Sequence, residues 1–241
     1  MIAHTVAAPV AGRTLRVTHV SRHAGYADTR GFVVVVVGPG GPLLPNGVVL
    51  TGPPETGRVV LEGATIWDPT LRLRGDESLT APGDAPFADA LDDPERMADI
   101  ARGLIGRGVG LTPEGDDAVA ATAAILAAAG RRLPLPDDLR TRTTALSATL
   151  LELAAQGMIA EPFHAVLNGA PLERLTRLGH TTGRTYAVNG AAALRGLGYG
   201  ARHGARDQGH PAGAGAVDGN QAVARAGGRR RGRTEVAAHR P

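Results

Sequence analysis

A glycine-rich stretch that runs straight into an apolar helix constrains this chain more than any other feature. Residues 106–117 read Gly-Arg-Gly-Val-Gly-Leu-Thr-Pro-Glu-Gly-Asp-Asp, and residues 118–129 are almost all alanine and aliphatic. Thr112 as the N-cap, Pro113 at the first helical position and acidic residues in the first turn predict where the helix begins. A helix without a polar face is normally buried. We therefore expect a buried helix whose acidic end opens on a glycine loop.

Two interpretations of this helix start remain open. In the first, the acids complement the helix dipole and the glycines make a tight connection. In the second, the loop amides at Gly108, Gly110 and Gly115 join Asp116 and Asp117 in a polar pocket for a small ligand or a divalent cation. The glycines can adopt positive φ, and three acids exceed what a helix cap requires, which favours the second interpretation.

Composition excludes several classes of chemistry. The chain has no cysteine, and all 26 of its Lys+Arg residues are arginine. Disulfides, cysteine nucleophiles and thiolate metal sites are therefore absent. Pyridoxal phosphate Schiff bases and Walker-type phosphate loops are also excluded, because both need a lysine. Anions must be bound by arginine, backbone amides or a metal.

The basic charge is concentrated at the end of the chain. Residues 195–241 contain 9 arginines and 3 acids, whereas residues 1–194 contain 17 arginines and 20 acids. A nucleic-acid partner is therefore not expected for the globular part. No apolar run approaches the roughly 20 residues of a membrane span, and the first residues do not resemble a signal peptide. We expect a cytoplasmic protein without membrane contact.

Changes in hydrophobic periodicity divide the chain into three parts and predict an α+β fold. Residues 1–80 favour an antiparallel β sheet or partial barrel, in which the apolar run Phe32–Val37 is covered on both faces. Residues 87–195 favour a helical domain. It includes a helix from Pro94, capped by Asp93, to about Ile105, and one long helix from Pro134 to about Gln156. Residues 196–241 are rich in glycine, alanine and arginine and favour a disordered basic tail.

A second loop-to-helix junction has the sequence Gly179-His-Thr-Thr-Gly183. Thr181 or Thr182 can cap the following helix, and His180 precedes its positive end. His180 either hydrogen-bonds to the backbone or serves as an acid, base or ligand. The two junctions could form two walls of one pocket. For His164, on a short predicted helix, a structural role is the preferred interpretation.

Residues 108–117 and 179–183 resemble motifs of the family of the AllH subunit of oxamate carbamoyltransferase. Residues 20–22 and 45–47 are similar to that family too, and the resemblance extends from about Thr14 to Leu194. It implies a cytoplasmic subunit that works with two partner proteins in purine (allantoin) catabolism. There, carbamoyl is exchanged between oxalurate and phosphate to give oxamate and carbamoyl phosphate. Arg184-Thr-Tyr186 departs from the small and acidic residues expected after the second motif.

The resulting hypothesis is a carbamoyltransferase subunit with a small-molecule pocket at two helix starts. This hypothesis names no certain cofactor and allows a divalent cation beside the acids. The alternative is a non-catalytic binding or scaffolding subunit, in which the motifs only fix tight helix packing. The predicted catalytic residues are Asp116, Asp117 and His180. The predicted substrate-binding residues are Asn46, Gly108, Gly110, Thr112, Gly115, Thr181, Thr182 and Gly183.

Overall fold

The computed structural model describes residues 1–6, 14–21, 24–29, 31–61 and 65–200. The strands are β1 Ile2–Ala3, β2 Thr14–Val17, β3 His19–Val20, β4 Ala24–Thr29, β5 Phe32–Val37, β6 Gly47–Val49, β7 Gly57–Val60 and β8 Ile66–Trp67. The helices are α1 Pro94–Leu104, α2 Glu114–Ala128, α3 Leu139–Arg142, α4 Ala145–Ala154, α5 Glu161–Leu167, α6 Glu173–Thr176 and α7 Thr182–Gly196. Of the predicted disordered tail, residues 201–241 lie outside the described residues.

The β-rich part contains a mixed sheet and a separate antiparallel pair of strands. Six strands form the sheet in the order β3-β4-β5-β6-β1-β8, and β2 pairs with β7. Most pairs are antiparallel, but β5 and β6 run parallel, as do β1 and β8. Strands precede helices along the chain, so the predicted α+β class is confirmed.

The valine-rich strand β5 is buried on both faces, as its lack of alternation predicted. All five of its valines are buried. Val34 and Val36 pack in one apolar cluster with Leu15 and Val17 of β2. On the α4 side, the backbone N–H of Val33 donates to Thr149 Oγ1 over 3.2 Å. The strand therefore connects the β-rich part to the helical part.

The helical part is organised around α2. Every residue of α2 from Gly115 to Leu126 is buried, which confirms the predicted buried helix. Its principal neighbour is α7, which is also buried over most of its length, from Thr185 to Leu194. Small side chains on both helices, such as the fully buried Ala124 and Ala191, allow the two backbones to approach closely.

One helix prediction is confirmed and another is wrong. Asp93 caps α1 and accepts a hydrogen bond from Arg96 N, as predicted. The single long helix expected from Pro134 is instead two helices, α3 and α4, separated at Thr143 and Thr144. Thr144 caps α4 by accepting a hydrogen bond from Ser147 N over 3.1 Å. This side-chain bond competes with continuation of the helix.

Candidate functional site

The two glycine motifs lie side by side. They lead into α2 and α7, each 15 residues long, which are in close contact with one another. Thr112 Oγ1 of the first motif lies 3.4 Å from Thr182 Oγ1 of the second. The Thr185 hydroxyl donates to Glu114 Oε1 over 3.3 Å. Both helices therefore begin at the same end of the helical part, and the two motifs meet there.

A glycine at the second position of each helix makes this arrangement sterically feasible. A Cβ at Gly115 would lie 2.1 Å from Leu104 O, and a Cβ at Gly183 would lie 1.9 Å from Leu175 O. Both distances are far below van der Waals contact, and both obstacles are backbone atoms. Gly115 and Gly183 therefore let each helix start directly against the helix that precedes it.

The predicted N-cap of α2 is wrong by one residue. α2 begins at Glu114, and its N-cap is Pro113, which makes no side-chain cap bond. Proline disfavours helical backbone at the preceding residue, so Thr112 lies outside the helix. Thr181 is the N-cap of α7 but makes no side-chain cap bond. Thr112 and Thr182 therefore have hydroxyls that face one another and do not cap their helices.

Asp116 is the centre of a buried polar network. Its side chain is 1% exposed. Oδ1 accepts a hydrogen bond from Gly106 N over 2.6 Å. Oδ2 accepts from Ser147 Oγ over 2.6 Å and from the hydroxyl of Thr143. Asp116 thus joins the glycine loop to the start of α4.

Asp117 differs from its neighbour, because part of its carboxyl group is not hydrogen-bonded. It is 2% exposed, and Oδ2 has no hydrogen-bond partner among the described residues. The pKa of Asp117 is raised to about 7, chiefly by burial and also by the charges of Asp116 and Glu114, while the Thr182 hydroxyl opposes the shift. Near neutral pH, Asp117 therefore exchanges a proton readily, as a general acid or base must.

Tyr186 lies next to this carboxyl group on α7. Burial raises the pKa of its hydroxyl above the ordinary value, and the charge of Asp117 adds to the shift. Tyr186 is therefore a neutral hydrogen-bond donor at physiological pH. Its ring meets that of Phe163 edge to face, with centroids 6.0 Å apart, so its orientation is fixed by packing.

A cavity of about 1720 Å³ separates the sheet from the two motifs. One wall is formed by β4 and β5, including Tyr26, Val35 and Val37. The opposite wall is formed by α4 and the two motif loops. The side of this second wall nearest the motifs is lined by Leu111, Thr112, Leu178, Gly179, His180, Thr182 and Tyr186. The cavity is therefore apolar on the sheet side and carries hydroxyl and imidazole groups on the motif side.

Three of the predicted site residues, Thr112, His180 and Thr182, line this cavity. His180 is exposed at its edge, and Thr182 is half-buried. Asp117 lies behind this wall, next to two residues that line the cavity. The Thr182 hydroxyl lowers the pKa of Asp117, and the charge of Asp117 raises the pKa of Tyr186. The structure therefore brings parts of both predicted motifs to one surface.

The other predicted site residues are not among the described residues that line the cavity. Gly108 and Gly110 have φ values of 119° and 95° and shape the exposed first loop. Thr181 is exposed, and Asp116, Gly115 and Gly183 are buried under the loops. Asn46 is fully buried in the β-rich part, where Nδ2 donates to Val33 O over 2.8 Å.

The sequence reasoning missed the arginines of the cavity. Arg174 and Arg177 both line it, close to His180. Arg174 forms an ion pair with Glu161, at 2.7 Å. The absence of lysine had already indicated that arginine, backbone amides or a metal must bind any anion, and Arg177 lies only three positions before His180 in the sequence. The absence of lysine and this short sequence distance were the two features that pointed to Arg177.

His164 has the structural role preferred from the sequence. Its Nε2 lies 2.9 Å from Pro69 O and 3.2 Å from Ile159 O. Burial lowers the pKa of His164, although the two carbonyl groups oppose the shift. The neutral imidazole with a proton on Nε2 satisfies this geometry, so His164 fastens α5 to the segment that follows β8.

Metal-binding clusters and membrane-spanning helices are both absent from the described residues. No group of three or more histidine, aspartate or glutamate side chains there is arranged to hold a metal ion. No helix in those residues combines the length and apolar character that crossing a bilayer requires.

Comparison with known proteins places part of the chain in the range of a family profile. Residues 104–194 match the sequence profile of a family described as oxamate carbamoyltransferase subunit AllH. The matched segment contains both glycine motifs, and the resemblance inferred from them is thereby confirmed over this segment. No curated protein and no solved structure matches the chain.

Proposed function

We propose that this chain, whose helical part matches the AllH family, is a subunit of a carbamoyltransferase complex of the oxamate carbamoyltransferase type. The observation that carries the proposal is that the matched segment contains Thr112 and Thr182, whose hydroxyl oxygens lie 3.4 Å apart on one wall of a cavity. In this proposal the cavity binds the small-molecule substrate, and two partner subunits complete the complex. The proposed complex acts in cytoplasmic purine (allantoin) catabolism.

Carbamoyl transfer makes specific demands on such a site. In the direction that yields carbamoyl phosphate, the bond between the carbamoyl carbon and the oxamate nitrogen breaks. A bond from that carbon to a phosphate oxygen forms, and the proton of hydrogen phosphate passes to the nitrogen. The negative charge that develops on the carbamoyl oxygen requires hydrogen-bond donors. The hydroxyls of Thr112 and Thr182 are suitable donors at the cavity wall.

Proton movement is assigned to the group behind that wall. Asp117 has a raised pKa of about 7 and an unpartnered buried oxygen. A group that titrates near neutral pH can both give and accept a proton during turnover. Thr182 is next to Asp117 and lines the cavity, so it can pass a proton between the carboxyl group and the substrate. Asp117 is therefore a positioning and proton-exchanging residue that acts through Thr182.

His180 and Asp116 have different roles in the proposal. His180 is exposed at the cavity edge, where its imidazole can contact the substrate directly. Asp116 is a positioning residue, because its hydrogen bonds hold the glycine loop against α4. The polar network of Asp116 also favours the alternative, a non-catalytic scaffolding subunit in which the motifs serve packing alone.

Reconstitution of the complex distinguishes the two functions. The chain is combined with its two partner subunits, and carbamoyl transfer is followed from carbamoyl phosphate to oxamate. Thr182→Val and His180→Ala should each lower turnover by at least about tenfold, since loss of one oxyanion donor commonly has that effect. Thr182→Ser should retain activity. Thr176→Val is the matched control, because Thr176 is exposed and does not line the cavity among the described residues.

Assembly and folding are measured on the same samples. Equal thermal stability and intact assembly, together with lost turnover in both variants, support the proposed function. Full turnover in both Thr182→Val and His180→Ala would remove the site and favour the scaffolding alternative.

A further inference from the structure

The charged residues of the cavity are unevenly compensated. Those that line it are Glu161, Glu173, Arg174, Arg177 and His180. Glu161 and Arg174 neutralise one another through their ion pair at 2.7 Å. Glu173 and Arg177 lie one helical turn apart. Nevertheless, Arg177 makes no ion pair with any acid among the described residues within the 4 Å expected of such a contact.

Arg177 is held on a well-fixed connection. It is the C-cap of α6, directly before the loop to α7. Leu178 N donates to Leu175 O over 2.9 Å, and Gly183 N donates to Leu178 O over 2.9 Å. Leu175 is fully buried. The backbone between α6 and α7 is thus anchored at both ends.

His180 lies on the same connection and on the same cavity edge. Gly179, which precedes it, has a φ of 66°, in the left-handed region that glycine adopts readily. Thr182 follows two residues later and also lines the cavity. One short segment therefore presents a guanidinium, an imidazole and a hydroxyl group to a common space.

The chemistry of these groups suits an anion. A guanidinium offers several N–H donors in a planar fork that matches a carboxylate or phosphate group. Since the chain contains no lysine, arginine is the only side chain with a permanent positive charge. An imidazole and a threonine hydroxyl add further donors. Glu173 is the one lining acid without an ion pair among the described residues, and it lies one helical turn before Arg177, at the first residue of α6.

The cavity is much larger than a small anion, so an anion would occupy only one part of it. Typical small-molecule pockets occupy about 300 to 1,000 Å³, whereas this cavity is about 1720 Å³. A single small anion leaves most of it unfilled. The arginine and histidine occupy one region, and the valines of β5 and Tyr26 lie on the other wall.

We propose that Arg177 and His180 form an anion subsite of the cavity, which binds the carboxylate or phosphate group of a small ligand. The subsite concerns binding alone, so it holds whether or not the chain takes part in carbamoyl transfer. Arg177 supplies the charge, and His180 supplies a further hydrogen-bond donor.

Titration calorimetry on the full chain tests the subsite. The probes are oxamate and inorganic phosphate, each at low ionic strength and slightly alkaline pH. At least one should bind to the wild-type chain, and Arg177→Ala should weaken that binding by about tenfold or more, because a charge-assisted bidentate contact is lost. Arg177→Lys should recover part of the affinity. His180→Ala should weaken binding by a smaller factor.

Arg184→Ala is the matched control. Arg184 is exposed and close to the same loop, but it does not line the cavity among the described residues. Its loss should leave binding unchanged, which separates a local contact from a general effect of charge. Thermal melting of each variant verifies that it is folded.

Several outcomes decide the matter. Binding of oxamate alone identifies a carboxylate subsite, and binding of phosphate alone identifies a phosphate subsite. No binding of either anion to the wild-type chain, or equal binding by folded Arg177→Ala, overturns the inference. The proposed function fails separately, through full turnover of Thr182→Val and His180→Ala, so the two failures are distinguishable.

Discussion

Thr112 and Thr182 place their hydroxyl oxygens 3.4 Å apart although 70 positions separate them in the sequence. Neither hydroxyl caps the helix that it precedes or begins. The contact is made because α2 and α7 start at the same end and pack along one another. Two glycine loops, remote in sequence, thereby share one wall of the cavity.

This proximity predicts an efficient engineered disulfide. The chain has no cysteine, so Thr112→Cys with Thr182→Cys introduces its only two thiols. Oxidation should join them, because side-chain atoms this close are compatible with disulfide geometry. In the chain-entropy model, a closed loop of 70 residues adds about 4 kcal/mol to the free energy of unfolding. Thiol titration and thermal melting measure the outcome.

The pair Thr112→Cys and Thr176→Cys is the control, since Thr176 is on α6 and not at the start of α7. Two titratable thiols remaining in the oxidised Thr112→Cys, Thr182→Cys chain would contradict the packing of the two motifs.

Asp117 predicts a loss of stability with rising pH. Its pKa is about 7 in the folded chain, against an ordinary value of 3.8. Between these values the folded state keeps a proton that the unfolded state has released. The contribution of Asp117 to the free energy of unfolding therefore falls as pH rises from about 4 to about 7 and is constant above that range. The full difference is on the order of 4 kcal/mol.

Asp117→Asn and Asp116→Asn should act in opposite directions at pH values above 7. Asp117→Asn removes the buried charge and should raise the free energy of unfolding towards its acid-limit value. Asp116→Asn replaces an acceptor of several hydrogen bonds by a group that is partly a donor, at a cost on the order of 2 kcal/mol. Urea unfolding at pH 5 and pH 8 measures both. A destabilised Asp117→Asn at pH 8 would be incompatible with the raised pKa.

The two helix-start glycines predict severe steric effects. Gly115→Ala and Gly183→Ala would each bring a Cβ to about 2 Å from a backbone carbonyl oxygen. Helix propensity alone would favour alanine, but overpacking against rigid backbone should cost about 3 kcal/mol or more. Thermal melting of the purified variants measures the loss.

Gly103→Ala is the control for this effect. Gly103 is exposed within α1, and a Cβ there meets nothing within 4 Å. Alanine should therefore stabilise that helix by up to about 1 kcal/mol. Equal effects at Gly103, Gly115 and Gly183 would mean that the close helix contacts are not formed.

His164 predicts a stability loss on the acid side. Burial holds its pKa below the ordinary 6.5, so the unfolded chain takes up a proton before the folded chain does. The contribution of His164 to the free energy of unfolding should therefore fall as pH drops from about 6.5 through the folded pKa. A titration of the His164 ring protons by NMR should give a midpoint below 6.5. A midpoint above that value would contradict the buried neutral imidazole.

The sequence predicted those parts of the fold that depend on local pattern. The unbroken apolar character of α2 and β5 predicted that both are buried, and Asp93 with Pro94 predicted the start of α1. The long helix after Pro134 was wrong because Thr143, Thr144 and Ser147 are engaged in side-chain hydrogen bonds. Those bonds depend on tertiary contacts with Asp116 and the loop, which periodicity does not reveal.

The candidate site was predictable to a similar extent. Glycine, threonine and acidic residues at the two helix starts identified the segments that meet. Their different fates depend on tertiary packing: Asp116 is fully hydrogen-bonded, whereas Asp117 keeps one oxygen without a partner among the described residues. Arg177 had no motif to mark it. Its position became evident only when α6 and α7 were located beside the cavity.

Helix α4 connects the two walls of the cavity through side-chain hydrogen bonds. Near its start, Ser147 is hydrogen-bonded to Asp116 of the first motif, and one-half turn later Thr149 accepts a hydrogen bond from Val33 of β5. Sliding the sheet relative to α2 must break one of these bonds or bend a helix of 10 residues. The sheet and the first glycine loop are therefore mechanically coupled through α4, so a substitution at Ser147 or Thr149 should be felt on both walls of the cavity.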